Sequence, residues 1–159
     1  MCRKKFSDPA DYMAEAIRLA RIAARKNETP IGCVIVRGGK IIGRGYNLRN
    51  RRGSVTEHAE ITAIRRACRV TGDWRLEDCT LYVSLEPCPM CAGAIVQARI
   101  PKVVFAAKNP KAGCAGSVMN LLAEEKFNHQ CKVESGLLEE ESREVLQSFF
   151  AKLRGARKK

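Results

Sequence analysis

The chain has 159 residues, which is enough for one domain with a sizeable buried core but not for two. With 45% hydrophobic and 29% charged residues, the composition excludes a disordered or low-complexity protein. The net charge of +12 favours an anionic partner, nucleic acid before an acidic membrane surface, although solubility alone also explains a basic composition.

The sequence carries no sign of export or membrane insertion. No stretch approaches the roughly 18 consecutive apolar residues of a membrane span, and residues 1–6 turn polar before a signal-peptide core could form. The eight cysteines occur in a chain that is neither small nor loop-rich, so we expect mostly reduced thiols and not a disulfide scaffold. These features predict a cytoplasmic protein without a membrane partner.

The N-terminal part predicts a helix followed by a β-hairpin. Asp8 offers a capping side chain and Pro9 is tolerated in the first turn, and apolar residues then recur at helical spacing to about Lys26. Residues 31–37 and 40–46 are apolar and β-branched on either side of a Gly-Gly pair. That pattern is typical of two strands joined by a tight turn.

A loop and a second helix are predicted next. Residues 47–55 are polar and indicate a loop. We expect the helix to begin near Thr56, with Glu57 in its first turn, where the helix dipole favours a negative charge. The residues predicted to point inward from this helix are Ile61, Ile64, Ala67 and Cys68.

The centre of the chain predicts a βαβ unit. Residues 80–85 and 102–107 are expected to form buried parallel strands, joined by a helix over residues 88–98. Together with the hairpin and a short strand at Val133, this unit predicts an α/β fold. The expected sheet is mixed, has about five strands and carries helices on both faces.

The C-terminal part predicts a helical turn and a long basic helix. Residues 118–122 form the turn, and residues 138–153 form the helix, which frays into a basic tail over residues 154–159. The candidate buried residues of this helix are Val145, Leu146, Phe149 and Leu153.

Two separated motifs, His58-Ala59-Glu60 and Pro87-Cys88-Pro89-Met90-Cys91, supply three soft metal ligands and one further carboxylate. Cys88 and Cys91 project from one face of a first helical turn, where unpaired N–H groups favour thiolates. His58 and Glu60 are two residues apart, but they share a pocket if the helix end faces it. Three ligands and a free position for water are typical of a catalytic zinc site. A redox dithiol has the same Cys-x-x-Cys spacing and is the alternative.

The chemistry of such a site favours hydrolytic deamination of a base. Zinc held by His58, Cys88 and Cys91 would lower the pKa of water from about 15.7 toward about 7. Glu60, which is not needed as a ligand, is suited to take the water proton and deliver it to a ring nitrogen and a leaving amine.

Zinc-dependent deaminases of bases share this His-x-Glu and Pro-Cys-x-x-Cys signature. The sequence resembles the bacterial tRNA-specific adenosine deaminases over about residues 12–154. The matching stretches are residues 30–32, 45–47, 58–61, 81–94, 111–117, 127–129 and 149–150. The resemblance implies a single cytidine deaminase-like α/β/α domain over residues 1–159, with one zinc per chain and a homodimer. It also implies conversion of the wobble adenosine of a tRNA anticodon stem-loop to inosine.

The resemblance further implies which residues contact the substrate. Asn47 would hydrogen-bond the flipped base, since an amide both donates and accepts. The residues that would line the base slot are Pro30, Ile31, Ala59 and Leu85. Phe150 and Arg154 would contact neighbouring nucleotides by stacking and by phosphate or base contacts. From sequence alone, Phe149 and Phe150 are both expected in the core, and Asn47 could equally be a turn residue.

His129 and Asn109 are further candidates for substrate contact. His129 would lie near the substrate entrance in the resembling family, and a role as a fourth zinc ligand is its alternative. Asn109 stands where the family commonly has Asp close to the ribose of a flanking nucleotide. Because an amide is neutral and also donates, we expect weaker discrimination against DNA. Residues 51–55 also lack the Asp-Pro pair often found there, which we expect to change only loop shape.

Two other functions remain open from the sequence. One is deamination of a free base or nucleotide, such as guanine, cytosine or deoxycytidylate, on the same fold. The other is a non-catalytic RNA-binding subunit with structural zinc. Glu60 separates the last alternative from an enzyme, because a structural site does not need an unligated carboxylate.

Overall fold

A mixed five-stranded sheet forms the centre of the structure, a computed structural model that describes residues 6–157. The strands are β1 (Gly32–Arg37), β2 (Lys40–Tyr46), β3 (Cys79–Leu85), β4 (Lys102–Ala107) and β5 (Lys132–Ser135). The helices are α1 (Pro9–Arg25), α2 (Arg49–Arg52), α3 (Ala59–Thr71), α4 (Pro89–Gln97) and α5 (Glu139–Arg157), with a 3₁₀ turn at Leu121–Ala123.

The strand order is β2-β1-β3-β4-β5. The hairpin strands pair antiparallel, and β1 also pairs antiparallel with β3. The pairs β3–β4 and β4–β5 are parallel, as expected for strands joined by crossover segments. The predicted mixed sheet and the βαβ unit at its centre are therefore confirmed.

Helices cover both faces of the sheet. On one face, Ala63 of α3 and Ile95 of α4 pack in a cluster with Leu81 and Phe105 of the sheet. On the other face, α1 contributes Met13 to a second cluster, against which the C-terminal helix α5 packs a part of its apolar side. This arrangement confirms the predicted three-layer α/β/α architecture.

Local signals give α1 and the hairpin their predicted positions. The Asp8 side chain accepts a hydrogen bond from the N–H of Asp11 at 2.9 Å, and Pro9 is the first residue of the helix. Gly38 and Gly39 have φ values of 53° and 73°, which are the values that a mirror-image two-residue turn requires.

The segment predicted as a loop contains the short helix α2, and α3 begins later than predicted. Helix α3 starts at Ala59 with His58 as its N-cap, so Glu57 precedes the helix instead of lying in its first turn. The Glu57 carboxylate accepts hydrogen bonds from Arg52 at 2.8 Å and from Arg65 at 3.0 Å. These long-range ion pairs, and not the helix dipole, account for the position of Glu57.

The inward face of α3 also differs from the prediction. The buried residues that pack against the sheet are alanines, among them Ala59, Ala63 and Ala67, while Ile64 is only half-buried. The reason is a close approach between helix and strand, since a Cβ added to Gly45 would overlap the carbonyl oxygen of Ala59. Large side chains do not fit between two backbones at this distance.

The last helix is longer than predicted and buries less. It continues to Arg157, and Phe149 is buried, whereas Leu153 is 40% exposed and Phe150 is 41% exposed. The expectation that both phenylalanines lie in the core is therefore wrong for Phe150. The predictions for residues 1–5 and for the tail at 158–159 lie outside the described residues.

The remaining global predictions concern cysteines and membrane segments. The seven cysteines within the described range are all free thiols, as predicted. No described helix combines the length and the apolar character needed to cross a membrane.

Candidate metal centre and its pocket

Two helix N-termini bring the predicted metal ligands together. His58 is the N-cap of α3 and Cys88 is the N-cap of α4, and Cys91 lies in the first turn of α4. His58 Nδ1 is 3.6 Å from the Cys88 sulfur and 3.5 Å from the Cys91 sulfur. The three ligand atoms lie within 4.8 Å of one another, so these residues could hold one metal ion.

The protonation of the two thiols fits a cation-binding pair. Hydrogen bonds from Cys91 and His58 lower the pKa of Cys88 to about 4, even though burial opposes this shift. The same contact with Cys88, together with burial, raises the pKa of Cys91. Two sulfurs and an imidazole nitrogen form a donor set that suits a borderline-soft ion such as Zn²⁺.

Glu60 lies beside these ligands with one oxygen unsatisfied. It is 3% exposed, and its Oε2 accepts no hydrogen bond from the described residues. Burial, together with the nearby Cys88 charge, raises the pKa of Glu60 to about 7. A buried carboxylate oxygen without a donor is unusual in a folded protein and is typical of a site that receives another polar group.

Asn47 provides a second unsatisfied oxygen. Its side chain is 5% exposed and its Oδ1 has no partner among the described residues. The Asn47 N–H donates to the carbonyl of Ile31 at 3.1 Å, which brings these two predicted substrate-binding residues together. Of the other predicted slot residues, Pro30 and Ala59 are buried, and Leu85 is half-buried at the end of β3.

Glu86 is a buried carboxylate to which the sequence prediction assigned no role. It is 2% exposed and accepts the backbone N–H groups of Asn109 at 2.9 Å and of Ala115 and Ser117 at 3.0 Å each. The Ser117 hydroxyl also donates to it. Burial acts to raise the pKa of Glu86, but these hydrogen bonds outweigh it and hold the pKa below its ordinary value. The available signal was a glutamate placed directly after a buried apolar strand.

Through Glu86, the loop that follows β4 packs beside the metal ligands. The N–H of Cys114 donates to the carbonyl of Pro87 at 2.8 Å, next to Cys88 in the chain. Asn109 is half-buried in this loop, and its Oδ1 accepts from the N–H of Ala112 at 3.3 Å. The Asn109 side chain thus shapes its own turn, a role that the sequence prediction did not include.

The other predicted contact residues lie outside this group. His129 hydrogen-bonds through Nε2 to the carbonyl of Ile100 at 2.8 Å, just before β4 and at the opposite end of that strand from the pocket. It is not among the three grouped ligands. Phe150 and Arg154 are exposed on α5, and Phe150 contacts Phe149 edge to face.

Comparisons with known proteins agree with this geometry. The model of the MafB19-like deaminase family matches residues 7–154. A tRNA-specific adenosine deaminase of Bacillus subtilis is 55% identical over 147 residues, which are 92% of this chain and 91% of that protein.

Solved structures show the same likeness. One from a study of A-to-I editing by tRNA:A34 deaminases at the wobble position has a TM-score of 0.82 and 43% identity, over 85% of this chain and 98% of that chain. A guanine deaminase of Bacillus subtilis has a TM-score of 0.63 and 44% identity, over 64% of this chain and 66% of that one.

Proposed function

This chain belongs to the MafB19-like deaminase family, within the group of the tRNA-specific adenosine deaminases, and from that premise we propose that it converts the wobble adenosine of a tRNA anticodon to inosine. The observation that carries the proposal is the juxtaposition of His58, Cys88 and Cys91 with the unsatisfied Glu60 carboxylate. We further infer one zinc per chain, a single deaminase domain over residues 1–159, a homodimer and a cytoplasmic location.

The proposed mechanism assigns metal binding and proton transfer to different residues. His58, Cys88 and Cys91 would hold zinc, whose bound state lowers the pKa of water toward about 7. Glu60 accepts the proton of the attacking water at Oε2, the oxygen with no partner among the described residues. It then delivers this proton to N1 of adenine and, in a second transfer, protonates the leaving amine at C6.

Burial of Glu60 supports this assignment. The raised pKa of about 7 means that burial makes the carboxylate more basic than an exposed glutamate. A proton carrier is most effective when its pKa lies near the working pH, because it can then both take and give the proton. Water excluded from the closed pocket also cannot compete for that proton.

The proposed base slot follows the burial of its residues. Asn47 Oδ1, which lacks a described donor, would accept a hydrogen bond from the ligand base. The residues proposed to line the slot are Pro30, Ile31, Ala59 and Leu85. Exposed Phe150 offers a stacking surface and exposed Arg154 a positive charge to flanking nucleotides. His129 and Asn109 complete the proposed RNA contacts.

The direct test is inosine formation on an anticodon-bearing tRNA. Zinc-loaded protein is incubated with a tRNA transcript, which is then sequenced, and zinc per chain is measured in parallel by atomic emission. We expect inosine at the wobble position only and a ratio of one zinc per chain. Guanine, cytosine and deoxycytidylate are offered in separate reactions. Deamination of one of these without editing of the tRNA would instead support a free-base or nucleotide deaminase.

A further inference from the structure

The short helix α2 places three arginines at the mouth of the pocket. Arg49, Arg51 and Arg52 occupy three of its four positions. The helix follows directly after Asn47 and Leu48 in the chain, and the N–H of Leu48 donates to the carbonyl of Glu57 at 3.0 Å. This bond joins the two ends of the segment immediately before His58, so the segment closes beside both Asn47 and the metal ligands.

A buried carboxylate fixes the backbone of α2. Glu28 is fully buried, and its oxygens accept the N–H groups of Asn50 at 3.2 Å and of Arg51 at 2.7 Å. Gly53 ends the helix in the left-handed region, with a φ of 56°. A four-residue helix is too short to be stable alone, so these tertiary contacts hold its shape.

A second buried carboxylate fixes one of the three arginines. Glu57 accepts a hydrogen bond from Arg52 at 2.8 Å and from Arg65 of α3 at 3.0 Å, and it is 7% exposed. Arg52 therefore connects α2 to the helix whose N-terminus carries His58. Its charge is neutralised within the protein and is not available to a ligand.

Arg49 and Arg51 differ from Arg52 in this respect. Both are exposed, and neither guanidinium forms an ion pair with a residue in the described part of the chain. The charge of Arg49 is close enough to His58 to act against protonation of that imidazole. Positive charges concentrated on one short helix repel one another, and no acidic side chain within α2 offsets this repulsion.

We propose that Arg49 and Arg51 bind backbone phosphates of the RNA strand that presents its base to the pocket. Guanidinium groups match the geometry of phosphate oxygens and keep their charge at any working pH. Because Glu28 and Glu57 hold α2 in place, the two arginines are positioned before the RNA arrives, which lowers the entropy cost of binding. This inference rests on the proposed function and names the residues that would align the anticodon strand.

The test measures how binding of an anticodon hairpin depends on salt. Zinc-loaded wild-type protein is compared with the double variant Arg49→Ala/Arg51→Ala by fluorescence anisotropy between 50 and 200 mM salt. The matched control is Lys40→Ala/Lys132→Ala, which removes the same charge from exposed positions at the opposite end of the sheet. A further variant, Arg49→Lys/Arg51→Lys, keeps the charge and loses only the guanidinium geometry.

The expected result is a smaller salt dependence for the alanine double variant only. Each lost phosphate contact reduces the slope of log K against log salt by about 0.7 for single-stranded RNA, so its affinity deficit relative to wild type should narrow about sevenfold across this range. The lysine variant should keep the wild-type slope. A wild-type slope in the alanine variant, or an equal change in the lysine control pair, would overturn the proposal.

Inosine formation by the wild-type protein is measured on the same hairpin. If it fails, the proposed function fails whatever the slopes show. If it succeeds and the slopes do not differ, only the assignment of Arg49 and Arg51 is wrong.

Discussion

The N–H of Asn109 donates to Oε2 of Glu86 at 2.9 Å, and this bond ties the loop after β4 to the residue that leads into the Pro87-Cys88 turn. Replacing Glu86 by Gln leaves a single acceptor oxygen and turns an NH₂ group toward backbone donors. We expect a loss of about 1–3 kcal/mol in the free energy of unfolding and slower inosine formation, with zinc retained. Urea denaturation and single-turnover assays measure the two effects. Exposed Glu125→Gln is the control, and equal stability of both variants would contradict the role of Glu86.

The role of Glu60 as the proton carrier predicts a separation of metal binding from activity. Glu60→Ala should keep the fold and one zinc per chain, while deamination falls by at least about a hundredfold because proton transfer is lost. Glu60→Gln, which preserves the shape of the side chain, should behave in the same way. Zinc content by atomic emission and inosine formation on a hairpin provide the measurement. Loss of zinc in both variants would mean that Glu60 supports the metal site itself.

The sequence predicted those parts of the structure whose stabilising contacts are local. The Asp8 cap, the Gly38-Gly39 turn and the β-branched strands each carry their cause within a few residues. The Cys88 and Cys91 spacing likewise places both sulfurs on one helical turn. These features sufficed for the sheet, the order of the helices and the candidate metal centre.

The incorrect predictions all concern contacts between residues distant in sequence. The carboxylate that holds α2 comes from Glu28, 22 residues before Asn50. The alanine face of α3 follows from the strand glycine Gly45, and no pattern within the helix reveals it. Glu86 is bound by a loop that begins 23 residues later, at Asn109. Such partners become visible only when the chain is folded.

The buried ion pairs of Glu15 predict a pH dependence of stability. Its carboxylate accepts from Arg18 at 2.7 Å and from Arg44 at 2.9 Å, which joins α1 to β2. Burial opposes the charge, but the two guanidiniums outweigh it and hold the pKa of Glu15 below its ordinary value of 4.5. The charged form is therefore favoured by folding, so the stabilisation is present above pH 4.5 and is lost as the pH falls through the lower folded pKa.

The measurement for Glu15 compares wild type with Glu15→Gln by urea denaturation from pH 7 down to pH 3. Wild type should be the more stable protein at pH 7, and the difference should shrink progressively below about pH 4.5. Exposed Glu77→Gln controls for the simple removal of a carboxylate. A difference that grows as the pH falls would show that the ion pairs do not stabilise the fold.

Asn109 predicts the selectivity between RNA and DNA. Its Oδ1 accepts from the N–H of Ala112, a bond that an Asp carboxylate can also form, so Asn109→Asp should keep the loop intact. The carboxylate would accept a hydrogen bond from a ribose 2′-hydroxyl and would repel phosphate that lacks this compensation. We expect the RNA/DNA ratio of single-turnover rates to rise about tenfold, as for one hydrogen bond of ~1.5 kcal/mol to a charged group. Exposed Asn128→Asp introduces the same charge elsewhere and should leave the ratio unchanged. If Asn109→Asp also leaves it unchanged, the residue does not sense the sugar.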